Sequence, residues 1–384
     1  FSCLNLKPLS YHSDVDVRNA LPKVDTHSGY TWIISGEKYK GENLEGVSAK
    51  FHAKAWDAIH RGSFETPILM GFRTQVSGEY EDDGTRTGTG KHKLRVVSMV
   101  DLFTIIAELM FAKPIQKFLA TQFFYAGGKN PNEISGILTG WRTRYKRFLS
   151  IDYSSFDQTI SSWLIEDAFK VIKSAFRLSP KQDKLFDVVV HDFIHKDFII
   201  SEGVLHSDKG VPSGSMFTQI IDTLVNWIVI QTYFNMIGQQ AEMIIMGDDN
   251  AIYTNAEVDI EHLASYVDHN FGLIIKSDDK SNEGDTFKKD VKFLSRYWRY
   301  DGQWRHPYQL LSRILYPERH RNYDSSVGPE HVIFAFILTY QKGMEELIDT
   351  RKFLHDFPIS RRYVLENVDS RYLPGALAYI REYT

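Results

Sequence analysis

Three aspartates follow strand-like segments of the sequence, in positions where carboxylates can hold divalent metal ions. Asp248 and Asp249 lie in MIIMGDDNAIY, whose apolar and β-favouring flanks predict a tight turn between antiparallel strands. Asp152 ends a short buried-strand signal at 148–151. Magnesium prefers such hard oxygen ligands, and two ions ~4 Å apart can activate an attacking hydroxyl and stabilise the leaving oxygen of a phosphoryl transfer.

A polar stripe on a predicted helix provides a second candidate constellation. The sequence from 215 to 236 has no Gly or Pro, which predicts one long helix after the Gly/Pro/Ser loop at 210–214. Thr218, Asp222 and Asn226 are spaced by four and line one face of this otherwise apolar helix. Buried polar groups usually bond one another or the backbone, so the stripe alone leaves a structural and a ligand-binding role open.

The surrounding pattern predicts the elements that position these groups. Helical spacing of apolar residues resumes at 159, just after the connection that carries Asp152 and Asp157. This mixture of periodicities indicates an α+β fold. The other expected elements are a helix at 101–120, a helix around 261–270, a short strand near 273–275, a second hairpin in FLSRYWRYDGQW, and a mainly helical tail from about 305.

The composition is that of a large globular chain. Its 384 residues, 43% hydrophobic and 14% aromatic, can bury a sizeable core. The single cysteine, Cys3, excludes an internal disulfide and fits a reducing compartment. No apolar run approaches the ~20 residues that cross a bilayer, so no membrane span is expected. Because the chain begins with Phe1 and not Met, we expect a fragment of a longer protein.

Three sequence motifs, in a fixed order, resemble those of a known family. DYSSFD, GVPSGSMFTQIID and MGDD resemble motifs A, B and C of right-hand RNA-dependent RNA polymerases, with DxxxxD at Asp152 to Asp157 and SGxxxT beginning at Ser213. RVVSMVDLFTIIAELMFAKPI and PSGSMFTQIIDTLVN are similar to polymerases of the partitivirus and picobirnavirus group of double-stranded RNA viruses. The resemblance covers roughly residues 26 to 320.

The resemblance implies a right-hand architecture. It consists of fingers, a palm with an antiparallel sheet backed by helices, and a mainly helical thumb. The implied divisions are fingers at 1–100, the first part of the palm with motif A at 101–165, a fingers insertion at 166–208, the palm with motifs B to E at 209–304, and the thumb at 305–384.

The resemblance also implies roles for the acids and for a basic segment. It implies that Asp152 and Asp248 are the principal ligands of two Mg²⁺ ions and that Asp249 lies next to them. Mn²⁺ is an alternative to Mg²⁺. KHKLR resembles motif F, whose cations hold the incoming triphosphate, a task that suits the planar fork of Arg. Without the surrounding match, a solvated charge run is the better explanation of this segment. The expected nucleotide-binding residues are Lys91, Lys93, Arg95, Asp157, Ser213, Thr218, Asp222 and Asn226.

Weaker matches suggest further catalytic and RNA-binding residues. IIKSDDK resembles motif D and makes Lys280 a candidate general acid for the departing pyrophosphate, with Lys276 as the competing candidate. Gly214 fits a loop against the template and nascent pair. KFLSRYW resembles motif E, and THSGY resembles motif G but equally fits a simple turn. These two segments add the expected RNA-binding residues Ser295, Thr26, Ser28 and Gly29.

Recognition of the ribose stays open, because the chain departs from the common pattern of motif B. Many polymerases of this class carry Asn nine residues after the motif B serine, where this chain has Asp222, with Asn226 one turn further along. If Asp157 and Asp222 both approach the ribose 2′-hydroxyl, their mutual repulsion should raise the pKa of one of them.

The expected function is RNA synthesis from ribonucleoside triphosphates on an RNA template, in viral genome replication and transcription. Template RNA, nascent RNA and a viral capsid protein are the expected partners, in the virion interior or host cytoplasm. The alternatives are a reverse transcriptase or other palm-type polymerase, and a catalytically silent, capsid-associated RNA-binding protein. Polar Asp157 at the sugar gate counts against the first, and the intact acids Asp152, Asp248 and Asp249 count against the second.

Overall fold

The computed structural model describes most of the chain. The residues described are 4–34, 36, 38–77, 91–276, 282–300, 302–315, 328–368, 376–378 and 381. Cys3 and Lys280 lie outside them. In the described part, helices combine with three largely antiparallel sheets, which confirms the predicted α+β class. No helix of these ranges has the length and hydropathy needed to cross a membrane.

Short helices and a long two-stranded ribbon form the first hundred residues. Ser13 begins the first helix with a reciprocal cap, in which its Oγ accepts from the N–H of Asp16 at 3.3 Å and the Asp16 carboxylate accepts from the N–H of Ser13 at 2.9 Å. The elements are α1 (Asp14–Ala20), α2 (Tyr30–Ile34), a 3₁₀ turn (Lys40–Asn43), α3 (Val47–Arg61), β1 (Ile68–Ser77) and β2 (Lys91–Met99).

A buried helix leads into the centre of the chain. Asp101 begins it, because its Oδ1 accepts a hydrogen bond from the N–H of Phe103 at 2.9 Å. The predicted helix at 101–120 is thereby confirmed. The elements of this part are α4 (Leu102–Leu119), α5 (Pro131–Arg142), β3 (Arg147–Ser150), α6 (Phe156–Thr159), α7 (Ser162–Ser174), α8 (Pro180–Ile194), β4 (Lys196–Ile200) and β5 (Gly203–Ser207).

The long helix, the GDD hairpin and the helix after it form as predicted. The predicted strand near 273–275 is wrong, since there only Ile275 makes a bridge, to Tyr153. The elements are α9 (Thr218–Met236), β6 (Ala241–Met246), β7 (Asp249–Thr254), α10 (Ile260–Phe271), β8 (Asn282–Asp285), β9 (Val291–Phe293), β10 (Arg296–Arg299), β11 (Gly302–Trp304), α11 (Pro307–Leu315), α12 (Pro329–Glu345), α13 (Thr350–Asp356) and α14 (Arg361–Asn367).

Three sheets organise the described chain. The central sheet has the order β6-β7-β3-β8, and α9 packs against it while contacting α7 and α10. A second sheet has the order β2-β1-β4-β5, in which β1 and β4 run parallel. The predicted second hairpin is a three-stranded sheet, β11-β10-β9, beside the central one. The helices α11 to α14 follow with small cores of their own, as the helical tail predicts.

Candidate active site

The turn between β6 and β7 carries the GDD acids, and α9 holds it in place. Gly247 adopts a positive φ of 66°, a conformation that glycine reaches without strain. Its N–H donates to Thr223 Oγ1 at 2.9 Å. The side-chain amide of Asn226 donates to the carbonyl oxygens of Gly247 at 3.0 Å and Asp248 at 3.1 Å. Two side chains of one helix therefore fix the backbone of the tip.

Asp152 is brought to the same tip by the pairing of β3 with β7. The two strands are antiparallel, with Leu149 opposite Ile252. Beyond the end of β3, the side chain of Asn250 continues the pairing, since its Oδ1 accepts from the N–H of Ile151 at 2.8 Å and its Nδ2 donates to the Ile151 carbonyl at 3.1 Å. Asn250, in GDDN, is a positioning residue that sequence reasoning missed.

The three acids interact electrostatically. Burial, followed by the charges of Asp248 and Asp152, raises the pKa of Asp249 to about 7. The positive charges of Lys292 and Arg95 oppose this shift. Asp249 also retains solvent-exposed surface, as expected for a group in a cleft with protein around it. The acids are thus near enough to repel one another. Within the described ranges their carboxylate oxygens do not all lie within 4.8 Å of one another.

The donor set fits divalent cations. Converging carboxylates offer the oxygen ligands that Mg²⁺ and Mn²⁺ prefer, and a cation between them removes their mutual repulsion. A lysine ammonium already balances one of the acids, because Lys276 Nζ lies 3.0 Å from Asp152 Oδ2. The competing motif D candidate therefore lies at the site, held there by its backbone N–H, which donates to the Asp152 carbonyl at 2.9 Å.

Asp157 and Asp222 form a second acidic pair beside the first group. Burial and the charge of Asp248 raise the pKa of Asp157, while Arg95 lowers it. Asp222 is only 4% exposed, and burial followed by the charges of Asp157 and Asp248 raises its pKa well above the ordinary range. Within the described structure its Oδ1 has no hydrogen-bond partner. This agrees with the repulsion expected for these two acids.

The polar residues of the stripe on α9 lie in different environments. Asn226 is fully buried and uses both ends of its amide, since its Oδ1 also accepts from the Tyr153 hydroxyl at 3.1 Å. The side chain holds the GDD tip, and its contact with the nucleotide stays a prediction. Thr218 remains partly exposed, with its Oγ1 2.7 Å from the Pro212 carbonyl and 3.0 Å from that of Ser215. Its nucleotide contact stays a prediction.

The motif B loop is fastened to β2. Exposed Ser213 accepts at its Oγ a hydrogen bond from the N–H of Ser98 at 2.9 Å. At Gly214, a Cβ would lie 1.9 Å from the Ser98 carbonyl oxygen, so only glycine permits this approach. Arg95 is an exposed residue of the same strand, and its charge reaches both Asp157 and Asp249. Lys91 and Lys93 belong to β2 by their backbone.

A buried carboxyl of α4 holds the other side of this loop. Glu108 Oε1 accepts from the Ser215 hydroxyl at 2.7 Å, and its Oε2 accepts from the Met216 N–H at 2.7 Å. Burial raises the pKa of Glu108 to about 7 against these hydrogen bonds. The sequence signal for this residue is a single charge inside the apolar helix segment TIIAELMFA, which our sequence reasoning did not use.

The predicted motif G and motif E residues lie in different environments. Ser28 is fully buried and its Oγ accepts from Asn43 at 2.9 Å, and its contact with RNA stays a prediction. Gly29, with φ of 107°, lies where a Cβ would be 2.6 Å from Asp101 Cα. Thr26 is partly exposed. Ser295 is exposed in the turn between β9 and β10 and remains accessible to a strand of RNA.

Carboxylates at the end of one central strand and at the tip of the adjacent hairpin, with a helix behind them, define the palm of a template-dependent nucleic-acid polymerase. Residues 3–333 match the family model described as viral RNA-dependent RNA polymerase, and the chain belongs to that family. Members of this family generally use divalent metal ions, which the acid group fits.

Known proteins of RNA viruses resemble the chain in sequence. The RNA-directed RNA polymerase of Cryptosporidium parvum virus 1 is 29% identical over 220 residues, which cover 55% of this chain and 38% of that protein. The genome polyprotein of human parechovirus 2 is 26% identical over 290 residues, which cover 71% of this chain and 13% of the polyprotein. The chain thus spans less than two fifths of either relative.

Solved structures confirm the right-hand polymerase fold. The crystal structure of the RNA-dependent RNA polymerase of a human picobirnavirus matches with a TM-score of 0.68 at 16% identity, covering 98% of this chain and 71% of that one. The Sicinivirus 3Dpol RNA-dependent RNA polymerase matches with a TM-score of 0.68 at 16% identity, covering 98% and 83%.

Proposed function

We propose that the chain synthesises RNA from ribonucleoside triphosphates on an RNA template, replicating and transcribing a viral genome. The observation that carries the proposal is the convergence of Asp152 with Asp248 and Asp249, where burial, followed by the charges of Asp248 and Asp152, raises the pKa of Asp249 to about 7. Repelling acids in a cleft suit the binding of cations that offset the charge of a reacting phosphate.

The acids define the reacting centre. Asp152 and Asp248, with Asp249 beside them, would hold two Mg²⁺ ions. Bound ions would activate the primer 3′-hydroxyl and stabilise the leaving oxygen. The hydroxyl oxygen bonds to the α-phosphorus of the incoming nucleotide while the bond to the β-phosphate breaks, releasing pyrophosphate. Lys276, which pairs with Asp152, must move its ammonium away for Asp152 to serve as a ligand.

The groups next to the acids bind the nucleotide. Arg95 extends from β2 close to the acid group and offers a cation to the triphosphate, with Lys91 and Lys93 earlier on the strand. Burial, followed by the charges of Asp157 and Asp248, raises the pKa of Asp222, and a protonated carboxyl at this position would donate a hydrogen bond. Together with Asp157 it can bridge to the ribose hydroxyl, which selects ribonucleotides.

The RNA-contacting surface is formed by exposed parts of loops. Ser213 and Gly214 lie in the loop anchored to Ser98, and Ser295 lies in the turn between β9 and β10. The loop with Ser213 and Gly214 suits contact with the template and nascent pair, and Ser295 suits contact with the primer end. We extend the proposal to a viral capsid protein as partner and to the virion interior or host cytoplasm as location, on the resemblance to polymerases of double-stranded RNA viruses.

Primer extension on a defined RNA template tests the proposal. Reactions receive ribonucleotides or deoxyribonucleotides, with and without Mg²⁺. We expect template-dependent incorporation of ribonucleotides that requires the metal ion. Preferential use of deoxyribonucleotides would favour a reverse transcriptase, and RNA binding without any incorporation would favour a silent RNA-binding protein. Either result would overturn the proposed activity.

A further inference from the structure

A cluster of histidine and aspartate side chains lies at the open end of the β4–β5 hairpin. It does not include Asp152, Asp248 or Asp249, whose surroundings are called the acid cleft below. The strand register places Asp197 opposite His206 and Lys196 opposite Ser207. His195 and Asp208, one position further out on each strand, therefore meet as well. All four clustered side chains are more than two fifths exposed, with fractions between 44% and 59%.

The distances in this cluster are those of a nearly formed coordination site. Asp208 Oδ1 lies 2.7 Å from His195 Nδ1 and 2.8 Å from His206 Nε2. Among the residues that the structure describes, this is the group of three or more potential ligands whose atoms all lie within 4.8 Å of one another. The other ring nitrogen of His206, Nδ1, lies 2.8 Å from Asp197 Oδ1. A carboxylate in that position orients a metal-binding imidazole.

We propose that His195, His206 and Asp208 bind a zinc ion, with Asp197 orienting His206 and water completing the coordination. Zinc accepts imidazole nitrogen and carboxylate oxygen at about 2.0–2.2 Å in a tetrahedral arrangement. Ligand atoms then lie ~3.3 Å apart, so the present contacts need to open by only about half an ångström. Two imidazoles favour zinc over magnesium, which selects oxygen ligands.

The competing occupant is a proton. The hydrogen bonds of His206 with Asp197, together with the charge of Asp208, raise the pKa of His206. A doubly protonated ring can therefore make the same contacts without a metal. A zinc ion differs from a proton because it binds His195, His206 and Asp208 together and saturates at one ion per chain.

The position of the cluster indicates what the ion would do. Lys196, next to His195, is buried and its Nζ donates to the carbonyl oxygens of Phe193, Ile194 and Gly210 at 2.9–3.0 Å. Gly210 begins the motif B loop, and the next residue, Val211, donates its N–H to the Asp157 carbonyl at 2.6 Å. A zinc ion would hold the base of the loop that enters the acid cleft, as a structural ion.

Calorimetric titration of the chelator-treated full chain with zinc chloride tests this. Excess Mg²⁺ is present to occupy the acid cleft. We expect one saturable zinc site in the wild type and none in His206→Ala or Asp208→Asn. Asp197→Asn should weaken binding about 10–100-fold, since it removes the orienting partner only. The matched control is His355→Ala, because His355 is exposed and 3.2 Å from Asp356 but lies outside the cluster.

Hydrogen exchange provides a second readout on the same samples. Zinc should slow exchange of the β5 amides and raise the Tm of the wild type, while both changes are lost in His206→Ala. Circular dichroism checks that the variants are folded, which their exposed positions favour. Absence of saturable zinc binding in the wild type, or undiminished binding in both His206→Ala and Asp208→Asn, would overturn the proposal and leave the proton as the occupant.

Discussion

The side-chain amide nitrogen of Asn226 lies 3.1 Å from the carbonyl oxygen of Asp248, so α9 fixes the backbone of a proposed metal ligand. The other end of the same amide accepts from the hydroxyl of Tyr153, the residue that follows Asp152. One buried side chain thus connects the two segments that carry the acids. The geometry of the site therefore depends on the buried amide of Asn226.

Replacing Asn226 with Ala should slow nucleotide incorporation without changing the choice of sugar. The change removes the donor to the Gly247 carbonyl and the acceptor of the Tyr153 hydroxyl, while the Asp248 carbonyl keeps the Asn250 amide at 3.2 Å, and we expect a cost of about 1–3 kcal/mol in the free energy of unfolding. Urea denaturation and single-nucleotide incorporation measure both effects. Asn235→Ala is the control, because Asn235 lies on the same helix, is exposed and bonds only Gln231 among the described side-chain contacts. A reduced preference for ribonucleotides in Asn226→Ala would contradict this assignment.

Sugar selection should depend on Asp157 and Asp222. Asp157→Ala should lower the preference for ribonucleotides over deoxyribonucleotides at least about tenfold, which corresponds to one lost hydrogen bond of ~1.4 kcal/mol. Asp222→Asn keeps the shape of the side chain but removes the proton that its carboxyl can share with Asp157, so the protein should fold while sugar selection weakens. The ratio of kcat/KM for the two sugars is the measurement. Unchanged ratios in both variants would remove these acids from the ribose site.

The stability of the chain should fall as pH rises through the titration of Glu108. Its pKa is raised from 4.5 to about 7 in the folded chain, so the folded state binds the proton more tightly than the unfolded state. The stabilisation is fully present below pH ~4.5 and lost by pH ~7, an effect of about 3 kcal/mol. Glu108→Gln removes it. Urea denaturation of both proteins across this range should show the difference, and parallel curves would contradict the assignment.

Lys276 should compete with the metal ion for Asp152. Lys276→Gln removes the ammonium at 3.0 Å, so half-saturation by Mg²⁺ should occur at a concentration about 1.4- to 5-fold lower, as for an exposed ion pair of ~0.2–1 kcal/mol. The Mg²⁺ dependence of incorporation measures this. Lys170→Gln, which breaks the 2.8 Å pair with Asp167 on α7, is the control. An unchanged or higher Mg²⁺ requirement in Lys276→Gln would show that the pair does not limit metal binding.

The local elements of the site could be predicted because their signals lie in adjacent residues. The apolar run without Gly or Pro predicts α9, which begins at Thr218 within the expected range, and GDDN between apolar residues predicts the β6–β7 hairpin. Convergence of Asp152 with Asp248 has no local signal. The order of the three motifs predicted this convergence through the family resemblance, and the pairing of β3 with β7 is its physical cause.

The contacts that hold the site could not be predicted, because they join residues far apart in sequence. Asn226 shares a helix face with Asp222, yet it lies one turn further along, where its amide reaches the hairpin tip. Glu108 lies in an apolar helix whose period gives no hint of the loop it binds. Residues 273–275 have strand-like composition, but pairing there is limited to Ile275.

The rate of single-nucleotide incorporation by Asp248→Ala, on a preassembled primer and template, tests the central claim most directly. Loss of a metal ligand removes several kcal/mol of transition-state stabilisation, so the rate should fall on the order of 1000-fold. RNA affinity and the Tm should stay near their wild-type values, since the Asp248 side chain is exposed. Incorporation by Asp248→Ala at a rate close to wild type would contradict a two-metal centre built on this acid.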